Sequence, residues 1–417
     1  MSVTKLYVDN FKGIGSATWI DVKPITLFIG ANSSGKSSCI HALACLSQTM
    51  KVPNNSTPIV LDDEYANVHL GRFIEVLHSK SYKDKISLGV RIDNVRMPVP
   101  PKKKNGKPTI AKVEVEAIYE FKCSQRTQDV RVENANIRMG TIEYNYKWTS
   151  SGYTVTEKNT GATMKGCQLG DGFFIKSESL FGGGFDEITP FLNILNIQSA
   201  ISAELLNTFY LGPFRESPRR KYETRGANPT EVGSRGESAI TMLANESFQT
   251  TKRSHIKEIS GWLEKLQLAN TLNISRVGKS DLVDLQLGLE DGEKFPIADL
   301  GYGISQILPV LTQCSFAEQG STLLFEQPEI HLHTKSSREL ASVFIDTAKN
   351  KNSSLLIETH SPDLVKQFLV ELREGKIQLE DIAIYKVTRQ NNETVIANVA
   401  IEDDFDVLEN WEKGISI

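Results

Sequence analysis

The amino-acid sequence predicts an α/β fold, a mixed-sheet head with an antiparallel β insertion and a helical lobe. Three observations carry that expectation. Pro24-Ile25-Thr26-Leu27-Phe28-Ile29 is a short apolar, β-branched run, and a glycine-rich turn leads from it into Ser38–Leu46, where apolar residues recur at helical spacing. Thr322–Glu326 and Ser354–Glu358 are two further apolar runs of buried-strand length. Between these, residues 85–175 alternate polar and apolar side chains, the period of strands with one buried face.

Taken in order, Leu6-Tyr7-Val8 and Ala17-Thr18-Trp19-Ile20 read as a hairpin leading into the first buried strand. The first helix is followed by a mixed stretch, 51–84, with an acidic patch at Asp62-Asp63-Glu64. Three alternating sets then predict an antiparallel sheet: Ile86, Leu88, Val90 and Ile92; Val113, Val115, Ala117, Tyr119 and Phe121; Ile142, Tyr144, Tyr146 and Trp148. The lysine-rich run from Pro98 to Pro108 falls between two of those strands, as a solvated loop or a phosphate-contacting finger. Gly182-Gly183-Gly184 is a hinge-like break, and helical spacing resumes from Ile188 to Phe209 and from Ser238 to Leu268. Leu282–Leu289 alternates as a strand, and a helix is expected from Ile307 to Phe316. The expected divisions are 1–84, the N-terminal part of the head; 85–175, the β insertion; 176–280, the helical lobe; and 281–417, the C-terminal part of the head.

Composition excludes several classes. At 417 residues, with 40% hydrophobic and 24% charged residues, the chain has the make-up of a soluble globular protein. A net charge of −4 and a pI of about 6.1 give no overall basic field for nucleic acid. The five cysteines form no C-x-x-C pair, and no apolar stretch has the roughly 18 residues of a membrane span. A cytoplasmic location without membrane contact is the expectation.

Gly30-Ala31-Asn32-Ser33-Ser34-Gly35-Lys36-Ser37 satisfies the phosphate-loop pattern G-x-x-x-x-G-K-[ST]. Its glycines let the backbone approach phosphate oxygens, and its amides with the helix N-terminus face the anion. Lys36 is then expected on the β- and γ-phosphates and the Ser37 hydroxyl on Mg²⁺, which points to ATP-type ligands. Glu326, closing an apolar strand, has the form of an acidic Mg²⁺-site residue. Asp299–Gln306 is a glycine-rich turn opening a helix, a second anion-binding end.

In this order the blocks Asn10-Phe11-Lys12-Gly13, Gly30–Ser37, Leu211–Glu216, Gly301–Gln306, Glu326–His333 and Glu358-Thr359-His360-Ser361 resemble the ABC-type ATPase heads of the SMC, RecF and OLD group. The subgroup most resembled is AAA-15/AAA-21, with a DUF3696-like C-terminal segment. The resemblance spans residues 6 to about 390 and implies roles position by position. Gly30, Asn32, Ser33, Ser34, Gly35, Lys36, Ser37 and Ser38 are implied around the nucleotide, with Lys12 beside them. Leu300–Ser305 is implied as the signature turn, with Gly301, Gly303 and Ser305 touching the γ-phosphate held by the opposite protomer. Gly301 stands where many relatives have serine, so the amides serve there. Glu326 replaces the usual Walker B aspartate, and His360 resembles the switch histidine that senses the γ-phosphate.

Gln327 occupies the place where many such ATPases carry the glutamate that polarises the attacking water. An amide orients water through its oxygen but accepts no proton near neutral pH, so slow hydrolysis and a long-lived ATP state are expected unless Glu329 or a histidine helps. His331 and His333 are expected at the seam of a head dimer rather than on zinc. Arg215, Arg219 and Arg220 read either as a contact for phosphate, a partner or DNA backbone, or as an exposed basic helix end. Glu358 reads either as a second acid near the metal or as a structural position. The acidic residues Asp403, Asp404 and Asp406 read as surface.

The resemblance implies head-to-head ATP-sandwich dimers, with higher oligomers open. It further implies a nucleotide-gated sensor or scaffold in a bacterial antiphage system, of PARIS-like or Septu-like type. Such ATPases work with a separate effector, a Toprim- or HNH-type nuclease, and can answer a phage-encoded trigger. The chain after His360 is short for a Toprim domain, so the effector is expected on another chain. The alternative is a RecF- or SMC-like DNA-binding ATPase of DNA repair, and DNA binding is left open.

Overall fold

Three strands in which every residue is buried organise the core: β3 (Ile25–Ile29), β15 (Thr322–Glu326) and β16 (Ser354–Glu358). The computed structural model describes residues 2–52, 57–99, 109–170, 172–181, 188–224, 228–249, 252–289 and 292–401. The glycine run 182–184, the loop residues 100–108, Arg225 and the acidic residues 403, 404 and 406 lie outside the described residues. The chain divides into two interleaved bodies, one built from residues 1–22, 33–208 and 388–395, the other from 23–32, 209–387 and 396–417.

The first body is an antiparallel sheet with helices. Its strands are β1 (Val3–Asp9), β2 (Thr18–Asp21), β4 (Ile86–Val99), β5 (Thr109–Cys123), β6 (Val130–Met139), β7 (Ile142–Thr149), β8 (Gly152–Glu157) and β9 (Thr163–Cys167), in the order β2-β1-β4-β5-β6-β7-β8-β9. The insertion strands thus continue the sheet begun by the N-terminal hairpin, with Leu88 opposite Val8 and Val90 opposite Leu6. The alternation read from sequence places Ile86, Leu88, Val90, Ile92, Val115, Ala117, Tyr119, Phe121, Tyr144 and Tyr146 on the buried face. Asn94, at φ 58, interrupts the pairing between Ile92 and Val95, and the apolar face resumes with Val95 and Met97. Trp148 departs from the pattern: it is exposed, and the Arg131 guanidinium lies 4.0 Å above its ring.

Helices α1 (Lys36–Lys51), α2 (Phe73–Val76), α3 (Ser177–Phe181) and α4 (Ile188–Leu206) complete this body. Asn193 of α4 donates to the Tyr144 hydroxyl, and the Ser47 hydroxyl of α1 donates to the Leu205 carbonyl at the end of α4. Each of these bonds is worth only about 1 kcal/mol net, but leaving a buried partner unpaired costs more, so they fix where α4 packs.

A second sheet has the order β10-β15-β16-β3-β17-β18, where β10 is Thr208–Leu211, β17 is Ile382–Gln390 and β18 is Glu393–Asn398; its strands β15, β16 and β3 belong wholly to the second body. The strand pairs β15/β16, β16/β3 and β17/β3 are parallel. Asn391 and Asn392, both at positive φ, make the two-residue turn between β17 and β18. Thr208 and Phe209, within the helical spacing read from sequence up to Phe209, instead lie in β10, because all four of its residues are buried at the sheet margin. A smaller sheet pairs β11 (Tyr222–Glu223), β12 (Thr271–Arg276), β13 (Leu282–Gly288) and β14 (Lys294–Pro296). Helices α5 (Ala239–Gln249), α6 (Ser254–Lys265), α7 (Tyr302–Phe316), α8 (Thr334–Lys351) and α9 (Pro362–Arg373) pack around them. α7 begins earlier than the expected Ile307, at Tyr302, so Gly303 and Ser305 lie in its first turn. No helix among the described residues is long and apolar enough to cross a membrane.

The core of the second body runs through the fully buried Phe325, Phe344 and Phe368, whose rings lie 5.5 and 6.5 Å apart in succession. Phe344→Ala is expected to destabilise this body by about 3–5 kcal/mol, through lost burial and an unfilled cavity. Trp148→Ala, at an exposed ring, should cost about 1 kcal/mol or less. Urea unfolding of the two variants beside the wild type checks both values.

Candidate functional site at the ends of the parallel strands

Parallel pairing sets three chain segments side by side. Glu326 is opposite Glu358 in the β15/β16 ladder, and Glu358 is opposite Phe28 in the β16/β3 ladder. The acid closing β15, the acid closing β16 and the entry to the Gly30 loop therefore emerge at one edge of one sheet. Open parallel α/β sheets place their ligands outside this carboxyl edge.

Glu326 and Glu358 are both buried, 5% and 4% exposed. Buried carboxylates need donors. The Tyr210 hydroxyl donates to Glu326 Oε1 at 2.8 Å. Burial first, then the neighbouring Glu326, pushes the Tyr210 phenol far above its ordinary range, so it remains a donor. Glu358 lies 3.9 Å from His360 Nε2, and its backbone oxygen accepts from the Gln327 N–H at 2.8 Å.

Arg215 corrects the reading of an exposed basic contact. It is 5% exposed, and its guanidinium donates to the carbonyls of Glu326 at 3.0 Å, Gln327 at 3.1 Å and Pro213 at 3.3 Å. Burial lowers its pKa to about 10, opposed by the nearby Glu329, Tyr210 and Glu326, so it stays charged at neutral pH. Of the other two arginines, Arg219 pairs with Glu216, and Arg220 makes a two-toothed pair with Asp299 at 2.8 and 2.5 Å, just before the glycine-rich turn that opens α7.

Beyond Glu326 the backbone turns sharply. Gln327 sits at φ 46 and His331 at φ 63, left-handed conformations that cost a non-glycine residue about 1–2 kcal/mol. The Glu329 carboxylate ties this turn to the next strand end: Oε1 accepts from the Thr359 hydroxyl at 2.5 Å and from the His360 N–H at 3.1 Å. Burial pushes this carboxyl above its ordinary range, with the Thr359 bond pulling the other way. Gly303 packs on the same turn, and a Cβ there would stand 2.6 Å from the His331 carbonyl oxygen. Tyr302 meets the His331 ring edge-on at 5.2 Å. The Ser305 hydroxyl turns back to the Tyr302 carbonyl, while Gly301 caps α7 and is exposed.

Gly30, Ala31 and Asn32 continue from β3 in the second body, and Ser33–Ser38 belong to the first. Asn32 and Ser33 are exposed, whereas Ser34, Lys36 and Ser38 are 3%, 2% and 4% exposed. Gly35, at φ 103, caps α1, so Lys36 and Ser37 are its first two residues. The Ser34 hydroxyl is buried and has no hydrogen-bond partner among the described residues. A tight glycine turn, a buried lysine and a hydroxyl unsatisfied among the described residues fit a phosphate, and the Ser37 hydroxyl is of the oxygen type that suits Mg²⁺.

Thr394 of β18 is a site residue with no sequence signal. Its hydroxyl donates to the Ser34 carbonyl at 3.1 Å and its N–H to the Gly13 carbonyl at 2.7 Å. A Cβ on Gly13 or Gly35 would stand 2.2 or 2.1 Å from that hydroxyl oxygen, so both glycines are required by this close approach. Lys12, at φ 52, reaches His41 of α1, with Nζ 2.6 Å from the ring Nδ1.

A family model described as "AAA ATPase domain" matches residues 1–162 and 194–365. None of the curated proteins matches the chain. Among solved structures, the SMC head domain from Thermotoga maritima is 10% identical, covering 96% of this chain and 100% of its own, with a TM-score of 0.44. An SMC head bound to the C-terminal winged-helix domain of ScpA is 15% identical over 97% and 99%, with a TM-score of 0.47. An SMC head with an extended coiled coil, bound to the C-terminal domain of ScpA from Pyrococcus furiosus, is 12% identical over 99% and 99%, at 0.45.

Thr394→Val removes the hydroxyl that holds the Ser34 carbonyl and keeps the side-chain shape. The loss of about 1 kcal/mol is expected to speed amide exchange of the 34–36 segment about fivefold, measured by hydrogen–deuterium exchange, while β3 is unchanged.

Proposed function

Because the chain belongs to the AAA ATPase domain family, we propose that it is a slowly hydrolysing ABC-type ATPase that senses or scaffolds in a bacterial antiphage defence system. In this reading it holds or controls a separate effector, a Toprim- or HNH-type nuclease, and answers a phage-encoded trigger. The observation that carries the ATPase part is the register row Glu326, Glu358 and Phe28, which sets an acid pair beside the entry to the phosphate loop.

The residues divide the work. Gly30, Asn32, Ser33, Ser34, Gly35 and Ser38 form the cradle, Lys36 neutralises phosphate oxygens, and Lys12 lies against α1 beyond it. Ser37 and Glu326 would hold Mg²⁺, whose charge offsets that of the phosphates when bound. Gln327 orients water without taking its proton, which keeps turnover slow. His360 contacts the γ-phosphate end. Gly301, Gly303 and Ser305 serve the nucleotide of a second copy, so ATP joins two heads and its loss releases them. The defence role is supported by the resemblance of the sequence blocks to ATPases that work with separate nucleases. The segment after His360 is read as DUF3696-like, and the working location as the cytoplasm.

Lys36→Ala is expected to abolish ATP turnover. Gln327→Glu restores a proton acceptor and should raise kcat about 10-fold or more, since a positioned base contributes about 10²–10⁴. Steady-state ATPase assays read both. Co-purification with the product of the neighbouring gene tests the effector: a nuclease retained by wild type and lost or altered in stoichiometry with Lys36→Ala supports the reading. A lone dimer that gains DNA affinity with ATP overturns it.

A further inference from the structure

We propose that Glu329 is a positioning residue that latches the turn carrying Gln327 to His360, so that the water-orienting amide and the γ-phosphate-sensing histidine move as one unit. The inference rests on the ATPase reading above and assigns a role to a residue that reading leaves unused.

The geometry is a bridge between two strand ends. Glu329 lies three residues past Glu326, yet its Oε1 accepts from the Thr359 hydroxyl at 2.5 Å and the His360 N–H at 3.1 Å. A second strut runs the other way, from the Gln327 N–H to the Glu358 carbonyl at 2.8 Å. Arg215 holds the carbonyls of Glu326 and Gln327 from a third side. One turn is thereby fixed to the other at both its first and its third residue. The His360 ring is half-exposed while its backbone N–H is committed to Glu329, so the imidazole direction follows the carboxylate. The Thr359 hydroxyl also receives the Ser361 N–H at 3.0 Å, which continues the network into the start of α9.

A latch and a proton acceptor make opposite demands on Glu329. A latch needs an acceptor oxygen of the right shape, which an amide also supplies; a proton acceptor needs the carboxylate itself. The Oε2 atom is buried without a hydrogen-bond partner among the described residues, so it is closed off from water rather than aimed at it.

The test uses the full chain and four variants, Glu329→Ala, Glu329→Gln, Thr359→Val and the double variant Glu329→Ala/Thr359→Val, read by ATP kinetics and by amide exchange of the 359–361 segment. Expected for Glu329→Ala are a kcat at least 10-fold lower, a KM for ATP within about twofold, and faster exchange at 359–361. Glu329→Gln should keep kcat within about threefold and exchange near wild type. Thr359→Val should give the same split with a smaller kcat loss, and the double variant should be no worse than Glu329→Ala. Glu329→Ala with wild-type kcat and exchange overturns the latch. Glu329→Gln as impaired as Glu329→Ala also overturns it, and assigns the carboxylate to the chemistry. If Glu329→Ala does not fold, Glu329→Gln and Thr359→Val decide by the same criteria. A wild type with no turnover above Lys36→Ala overturns the ATPase reading instead, and the exchange measurements still decide whether Glu329 holds His360.

Discussion

The candidate site depends on one constraint, the parallel ladder that sets Glu326, Glu358 and Phe28 in a single row. Backbone hydrogen bonds fix that row with no contribution from the side chains that use it. The strands supply burial on both faces, as parallel strands between helices require, and every residue of β3, β15 and β16 is inside. A slip of one residue in β15 would move Glu326 to the opposite face of the sheet, so the apolar residues of the strand hold the acid in place.

Two acids buried at one edge are costly unless donors meet them. Tyr210 donates to Glu326, while the buried Arg215 gives its donors to the carbonyls of Glu326 and Gln327. Those two bonds shape the turn through its backbone. The turn itself holds Gln327 and His331 at positive φ. The strain persists because Arg215, Glu329 and the tight packing of Gly303 against His331 determine the turn from three sides.

Much of this was legible in the sequence, and the reason is local periodicity. The buried strands, the alternating strands of the antiparallel sheet and the phosphate loop all declare themselves within a dozen residues. β10 was missed because a four-residue run, Thr208 to Leu211, directly after a helix is too short to show a period of its own. Arg215, Thr394 and Glu329 were illegible as to role because their partners lie 111, 360 and 30 positions away. Arg215 read as a surface cation from its arginine-rich neighbourhood; burial reversed that. Trp148 shows the converse, an alternating apolar position left exposed and covered by an arginine.

In the proposed function, nucleotide at this edge joins two copies of the chain. Sedimentation velocity of wild type and Lys36→Ala, each with and without Mg²⁺-ATP, tests it most directly. A wild-type mass that doubles, or steps up by whole heads, with ATP and does not change for Lys36→Ala is the predicted result. A wild-type mass indifferent to ATP, or a shift that survives Lys36→Ala, would contradict it.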